Sequence, residues 1–181
     1  MANTTIAELM PTVFQTAYVT SNIDRAAELM KSKWNIPHFL IIDEPEIKDQ
    51  HYRGKPAFWK AKVGQGFAGD MNIELIEPVE GETSVYSSQL ADTGFSLSIH
   101  HFGVLAGDSE ADLNKTEKAL EGQGYPFIIS GFAPGMGKFG YIDLLEEGGH
   151  FLEVAFIPQE GWEFFAGVKN KNQELSQGRW I

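Results

Sequence analysis

The stretch FQTAYVTSNIDRAAELM, Phe14–Met30, carries the signals of a strand followed directly by a helix. Its first six residues are rich in aromatic and branched side chains, which favour a strand. Residues 21–24 (SNID) supply turn and N-cap residues, and apolar residues then recur at helical spacing over 25–33. Gln15 is the one polar amide in the strand, and burying it requires a partner.

This order of elements continues and then repeats. Strand patterns follow at 37–43, 57–63 and 71–77, with a polar segment at 44–55, so the first half reads βαβββ. The second half gives a strand at 97–105, a helix at 108–122, and strands at 125–129, 139–145 and 150–157. We therefore predict an α+β fold of two βαβββ modules in one domain over 1–181. The predicted boundaries are module 1 at about 13–78, a linker at 79–94, module 2 at about 95–158 and a C-terminal tail at 159–181.

Four polar residues interrupt apolar strands at matching places in the two halves. They are Gln15 and Glu74 in the first half, and His101 and Glu153 in the second. The first-strand pair is separated by 101 − 15 = 86 positions and the last-strand pair by 153 − 74 = 79, which supports a duplication. A core residue satisfied by backbone hydrogen bonds explains each one singly, whereas a divalent metal would satisfy all four together.

Composition limits the chemistry and the partners. The chain has no cysteine, so a metal must be held by oxygen, imidazole or amide ligands. The net charge of −11 and the scattered lysines and arginines argue against nucleic acid as a partner. The segment MANTTIAELM, Met1–Met10, lacks the basic start and apolar run of a signal peptide, so we expect a cytoplasmic protein without a membrane segment.

The runs QTAYVTSNIDRAAELM, MNIELIEPVEG, SIHHFGVLAGD, ALEGQGYPF and GGHFLEVAF occur in an order and spacing that resemble the vicinal oxygen chelate (glyoxalase/bleomycin-resistance/extradiol dioxygenase) superfamily. The resemblance covers about 13–157 and is closest to glyoxalase I and methylmalonyl-CoA epimerase-like members. It implies paired modules that form a half-open barrel around one metal. The implied ligands are Gln15, Glu74, His101 and Glu153. In epimerase-like sequences the ligand lies seven residues before the aspartate that caps the helix. Counting back seven from Asp108 selects His101 over His100, and the same count from Asn22 selects Gln15.

The resemblance also implies a reaction. Glyoxalase I and the epimerase move a proton on a carbon next to a carbonyl, through an enediolate that a metal stabilises. The chain is thus predicted to be a metal-dependent lyase or isomerase with one divalent ion (Zn, Ni, Co, Mn or Fe), and Glu153 or Glu74 as the base. We expect a small-molecule carbonyl or thioester substrate. Glyoxalase I sequences place a glutathione-binding arginine where this chain has Val19, so the sequence leaves glutathione and coenzyme A undecided.

Two other functions stay open on the sequence. An iron-dependent extradiol dioxygenase is the first, although its relatives use two histidines and one glutamate, and Gln15 stands where a histidine is required. A metal-free binding protein of the bleomycin-resistance type is the second, although such proteins usually lack most of the ligands. We further predict a homodimer. The segment Gly131–Gly140 is predicted to be a mobile hairpin connection over the pocket.

Overall fold

The computed structural model describes residues 4–181, so the first three residues of the segment Met1–Met10 lie outside it. The helices in the described part are α1 Ile6–Leu9, α2 Ile23–Trp34, α3 Ser84–Ser87, α4 Glu110–Glu121, α5 Leu145–Gly148 and α6 Gln159–Lys169. The strands are β1 Val13–Thr20, β2 Phe39–Ile42, β3 Lys48–Tyr52, β4 Lys55–Pro56, β5 Trp59–Ala68, β6 Met71–Gly81, β7 Leu97–Leu105, β8 Ile129–Ala133, β9 Gly137–Leu144, β10 His150–Phe156 and β11 Arg179–Trp180. Among these residues, none of the helices is both long enough and apolar enough to span a membrane.

The two long module helices begin in the same way. The Asn22 side chain accepts a hydrogen bond from the backbone N–H of Arg25 at 2.9 Å, and the Ser109 side chain accepts one from Asp112 at 3.2 Å. Each bond satisfies a backbone donor that the first helical turn leaves without an intrahelical partner. The predicted strand, cap and helix order is therefore confirmed at the start of both modules, but the cap of α4 is Ser109 and not the predicted Asp108.

One compact unit consists of Gln15–Pro45, Phe58–His100 and Glu163–Ile181. We refer to it as the first unit. Its strands follow the order β11-β2-β5-β6-β1. Helix α2 packs on this sheet through Ile23, Ala27 and Met30, which share one buried cluster with Leu75. Removing this apolar face from water is the main contribution that holds the helix on the sheet.

The second unit consists of the N-terminal segment up to Phe14 together with Glu46–Ala57 and His101–Trp162. Its strands follow the order β7-β10-β9-β8-β3-β4. Helix α4 contributes Leu113 and Leu120 to a buried cluster that also holds Ile142 and Leu152 of the sheet. The second unit thus repeats the arrangement of a helix on a mixed sheet, and the predicted α+β class is confirmed.

The structure corrects three local predictions. The strand predicted at 125–129 begins only at Ile129, because the backbone N–H of Tyr125 bonds to Leu120 O and still closes the end of α4. The segment at 44–55, predicted as a polar connection, contains strand β3 and the start of β4. The segment Gly131–Gly140 is mostly paired strand, since β8 and β9 form a regular antiparallel hairpin through it.

The aromatic tail packs on the first unit. Strand β11 pairs with β2, with Trp180 opposite Leu40. The Trp180 ring also lies edge-on to His38 at 5.3 Å between centroids, and Phe165 of α6 contacts Phe67 in the same geometry at 6.2 Å. The tail therefore covers the outer edge of the sheet that β2 would otherwise expose.

The hairpin of β8 and β9 depends on a close backbone approach at Gly137. A Cβ atom there would overlap the carbonyl oxygen of Phe156, and the residue has φ +116°. Gly135 in the same turn has φ +76°, but a Cβ atom there would have no other atom within 4 Å.

We therefore expect Gly135→Ala to cost about 1 kcal/mol of unfolding free energy from backbone strain alone. Gly137→Ala adds a steric clash with backbone, and we expect it to cost about 1–3 kcal/mol more. Urea denaturation of both variants measures the difference. Equal losses in the two variants would contradict the close approach.

Candidate metal centre

In the first unit, the predicted ligands Gln15 and Glu74 lie on neighbouring parallel strands. Gln15 on β1 is in register with Asn72 on β6, and Glu74 lies two residues further along β6, opposite Ala17. Because side chains alternate along a strand, Gln15, Asn72 and Glu74 point to one face of the sheet. Gln15 is only 4% exposed.

In the second unit, His101 and Glu153 have the same relationship. His101 on β7 is in register with Phe151 on β10, and Glu153 lies two residues further, opposite Gly103. The offset from the register partner to the glutamate is therefore two residues in both units. The duplication inferred from sequence spacing extends to strand register.

His101 and Glu153 contact each other directly. The Nε2 atom of His101 lies 2.7 Å from Oε2 of Glu153, with His101 fully buried and the Glu153 side chain 12% exposed. Burial lowers the pKa of the His101 imidazole to about 3, and the nearby His150 adds to the effect. Burial raises the pKa of the Glu153 carboxyl to about 8. In the metal-free protein, burial thus favours the uncharged form of both groups.

Two amide side chains hold the ligands of the first unit. Gln15 Nε2 donates to Asn72 Oδ1 at 2.8 Å, and Gln65 Nε2 on β5 donates to Glu74 Oε1 at 2.8 Å. Asn72 and Gln65 are buried. The sequence analysis missed both, although a polar amide in an apolar strand was the signal that identified Gln15.

Each candidate glutamate also lies opposite a polar or aromatic side chain on its antiparallel neighbour strand. Glu74 is opposite Gln65 on β5, and Glu153 is opposite Tyr141 on β9. The Tyr141 ring lies 4.7 Å from the His101 ring, centroid to centroid. The Tyr141 ring therefore forms one wall of the His101 environment.

Two other residues that could bind a metal, His100 and Glu77, lie close to His101 and Glu74 in sequence but make different contacts. His100 is fully buried, with Nε2 3.2 Å from Val85 O and its ring stacked on Tyr86 at 5.0 Å. Glu77 Oε2 accepts from the N–H of Ile23 at 2.7 Å and thereby caps α2. These contacts explain both residues structurally and agree with the choice of His101 and Glu74.

Comparison with known proteins identifies the family. A model of the Glyoxalase/Bleomycin resistance protein/Dioxygenase superfamily matches residues 14–141. The chain belongs to this superfamily, which confirms the resemblance seen in the sequence. No match is found among curated proteins.

Solved structures share the fold at low sequence identity. Methylmalonyl-CoA epimerase from Mycobacterium tuberculosis is 17% identical, with a TM-score of 0.55 over 88% of this chain and 95% of its own. A hypothetical protein from Bacillus halodurans is 13% identical, with a TM-score of 0.52 over 81% and 94%. Methylmalonyl-CoA epimerase in complex with methylmalonyl-CoA and NH4+ is 13% identical, with a TM-score of 0.51 over 82% and 95%. These likenesses confirm the glyoxalase-like fold.

The shifted pKa values of the buried pair predict a pH profile for the stability of the metal-free protein. Glu153 titrates at about 8 in the folded chain against an ordinary 4.5, so its contribution to stability is lost as pH rises between these values. His101 titrates at about 3 against an ordinary 6.5, so its contribution is lost as pH falls between these values. The two slopes cancel between pH 4.5 and 6.5, and only the Glu153 slope remains from 6.5 to 8.

With chelator present, we expect the free energy of unfolding to fall by about 1.4 kcal/mol for each unit that the pH rises between 6.5 and 8, because unfolding releases the Glu153 proton. Glu153→Gln removes this titration, so the variant should lose less stability than wild type over that range. Urea denaturation at a series of pH values measures both slopes. Parallel profiles for the two proteins would contradict the raised pKa.

Proposed function

We propose that this chain is a metal-dependent lyase or isomerase that moves a proton on a carbon next to a carbonyl group. Gln15, Glu74, His101 and Glu153 together hold one divalent ion, which is Zn, Ni, Co, Mn or Fe. The observation that carries the proposal is the shared register: each unit presents one first-strand ligand and one glutamate at the same offset. A homodimer in the cytoplasm stays a prediction.

The side chains fit such an ion chemically. Glu74, His101 and Glu153 form a set of possible metal ligands in which each residue offers one donor atom. Together with the Gln15 amide oxygen they give two carboxylates, one imidazole and one neutral oxygen, a mixture that suits zinc and its neighbours. When bound, the ion supplies positive charge where negative charge develops on the substrate oxygen.

The two glutamates suit different roles. Glu74 Oε1 accepts a hydrogen bond from Gln65 at 2.8 Å, which holds the carboxylate in one orientation. Burial raises the pKa of Glu153 to about 8 in the metal-free protein, and a bound cation would lower it toward the range in which a carboxylate can both take and return a proton at neutral pH. We therefore assign the proton transfer to Glu153 and a fixed ligand role to Glu74.

The residue at position 19 bears on the class of substrate. Val19, at the position of the glutathione-binding arginine in glyoxalase I, is fully buried within β1 and packs in the core. A handle for the glutathione carboxylate is therefore missing at that position. A solved family member binds methylmalonyl-CoA, an acyl thioester, and we propose an acyl thioester or a related carbonyl compound as the substrate.

Metal analysis of purified protein tests the ligand set. We expect about one divalent ion per chain in wild type and a loss of at least about tenfold in metal affinity for Gln15→Ala and for Glu153→Ala. Glu77→Gln is the matched control, because it alters a carboxylate on the same strand as Glu74 that caps α2 instead. Metal-free wild type, or unchanged affinity in both alanine variants, would overturn the proposal.

Solvent deuterium exchange into acyl thioesters and α-hydroxyketones tests the reaction. We expect Glu153→Gln to lower the exchange rate by about 10²–10⁴-fold, because the amide cannot accept the proton. Glu74→Gln is the comparison at the other glutamate, and full exchange in Glu153→Gln alongside loss in Glu74→Gln would reverse the two roles. No exchange across the panel by metal-loaded wild type would leave a binding protein, and oxygen uptake with catechols would indicate the iron dioxygenase.

A further inference from the structure

The amide of Gln15 can present either of two atoms, and only one of them binds a metal. The side-chain oxygen is a ligand, whereas the NH2 group is a donor with no lone pair available for a cation. A carboxylate does not have this ambiguity, because both of its outer atoms are oxygens. A site that uses glutamine therefore needs a device that fixes which atom points toward the ion.

The first unit contains such a device. Asn72 is 1% exposed and lies in register with Gln15 on the adjacent strand. Its Nδ2 donates to the backbone carbonyl of Gly66 at 3.3 Å, and its Oδ1 accepts from Gln15 Nε2 at 2.8 Å. The three groups form a directed chain of hydrogen bonds.

The direction of this chain is set by the backbone. A carbonyl oxygen can only accept, so Asn72 must turn its NH2 group toward Gly66 and its oxygen toward Gln15. Gln15 must then turn its own NH2 group toward Asn72. The opposite atom, Oε1, is thereby directed away from Asn72.

The equivalent place in the second unit supports this interpretation. His101 has Phe151 as its register partner, at the position that Asn72 occupies opposite Gln15. Phe151 is buried and its side chain has no polar group. The amide partner thus occurs opposite the amide ligand, and an aromatic residue takes its place opposite the histidine.

We propose that Asn72 is a positioning residue that selects the oxygen of Gln15 for the metal, through a hydrogen-bond chain anchored on the carbonyl of Gly66. The inference rests on the proposed metal site and adds a residue to it. Asn72 acts through Gln15, so its effect must depend on residue 15 being an amide.

The test compares Asn72→Leu in two backgrounds, with Co²⁺ as the probe. Dissociation constants come from competition with a chelator, and the visible spectrum of bound Co²⁺ reports coordination. In wild type, we expect Asn72→Leu to weaken Co²⁺ binding by about 10–100-fold. In Gln15→Glu, both side-chain atoms are oxygens, so we expect Asn72→Leu to cause no loss of affinity.

A further variant separates orientation from packing. Asn72→Asp keeps an acceptor opposite the NH2 group of Gln15, so it should lose less Co²⁺ affinity than Asn72→Leu. Asn72→Ala replaces the leucine variant if that protein does not fold. Thermal unfolding of each metal-free variant confirms that a folded protein is being compared.

Each outcome decides between the two proposals. Equal losses in the wild-type and Gln15→Glu backgrounds, as a purely structural role gives, would overturn the role of Asn72 and leave the metal site intact. Unchanged affinity in Asn72→Leu would do the same, provided that Gln15→Ala weakens binding. Wild type that binds no Co²⁺ would overturn the metal site itself, and the role of Asn72 with it.

Discussion

Each unit depends on the parallel pairing of the two strands that carry its candidate ligands. Strands β1 and β6 are neighbours in one unit, and β7 and β10 in the other, although a helix and further strands separate them in sequence. Parallel neighbours require such a long connection, and in both units a capped helix provides it. The pairing places residues that are distant in sequence on one sheet face in a fixed register.

This register explains why the sequence predicted some features well and others poorly. Helix α2 has a cap followed by periodic apolar residues, and strand β7 is rich in branched and aromatic residues, so the positions of both follow from local chemistry. Strand β3 is polar and half-exposed, and its pairing with β8 is a tertiary contact that no local pattern shows. Tyr125, predicted to begin a strand, instead closes α4 by a hydrogen bond to Leu120 O.

The candidate ligands were predictable because a polar residue in an apolar strand is visible in the sequence. Their partners were harder to find. Asn72 and Gln65 are also polar residues in strands, but their roles depend on which strand lies beside them, and register is fixed only by the folded sheet. The same holds for Tyr141, since its place beside His101 follows from the pairing of β9 with β10. The candidate ligands are thus visible in the sequence, whereas their neighbours on adjacent strands are known only from the fold.

The protonation states of the buried pair His101 and Glu153 depend on the fold around them. Desolvation favours the neutral form of both groups, so in the metal-free protein Glu153 holds a proton at neutral pH. A divalent cation favours the opposite form of the carboxylate, and metal binding is therefore linked to release of that proton. In the proposed site, burial raises and the cation lowers the proton affinity of Glu153, and these opposed effects are what a base that must return its proton requires. Asn72 and Gln65 hydrogen-bond to the other two candidate ligands, Gln15 and Glu74. The proposed site thus combines two side chains bonded to buried amides with one carboxylate whose protonation state can change.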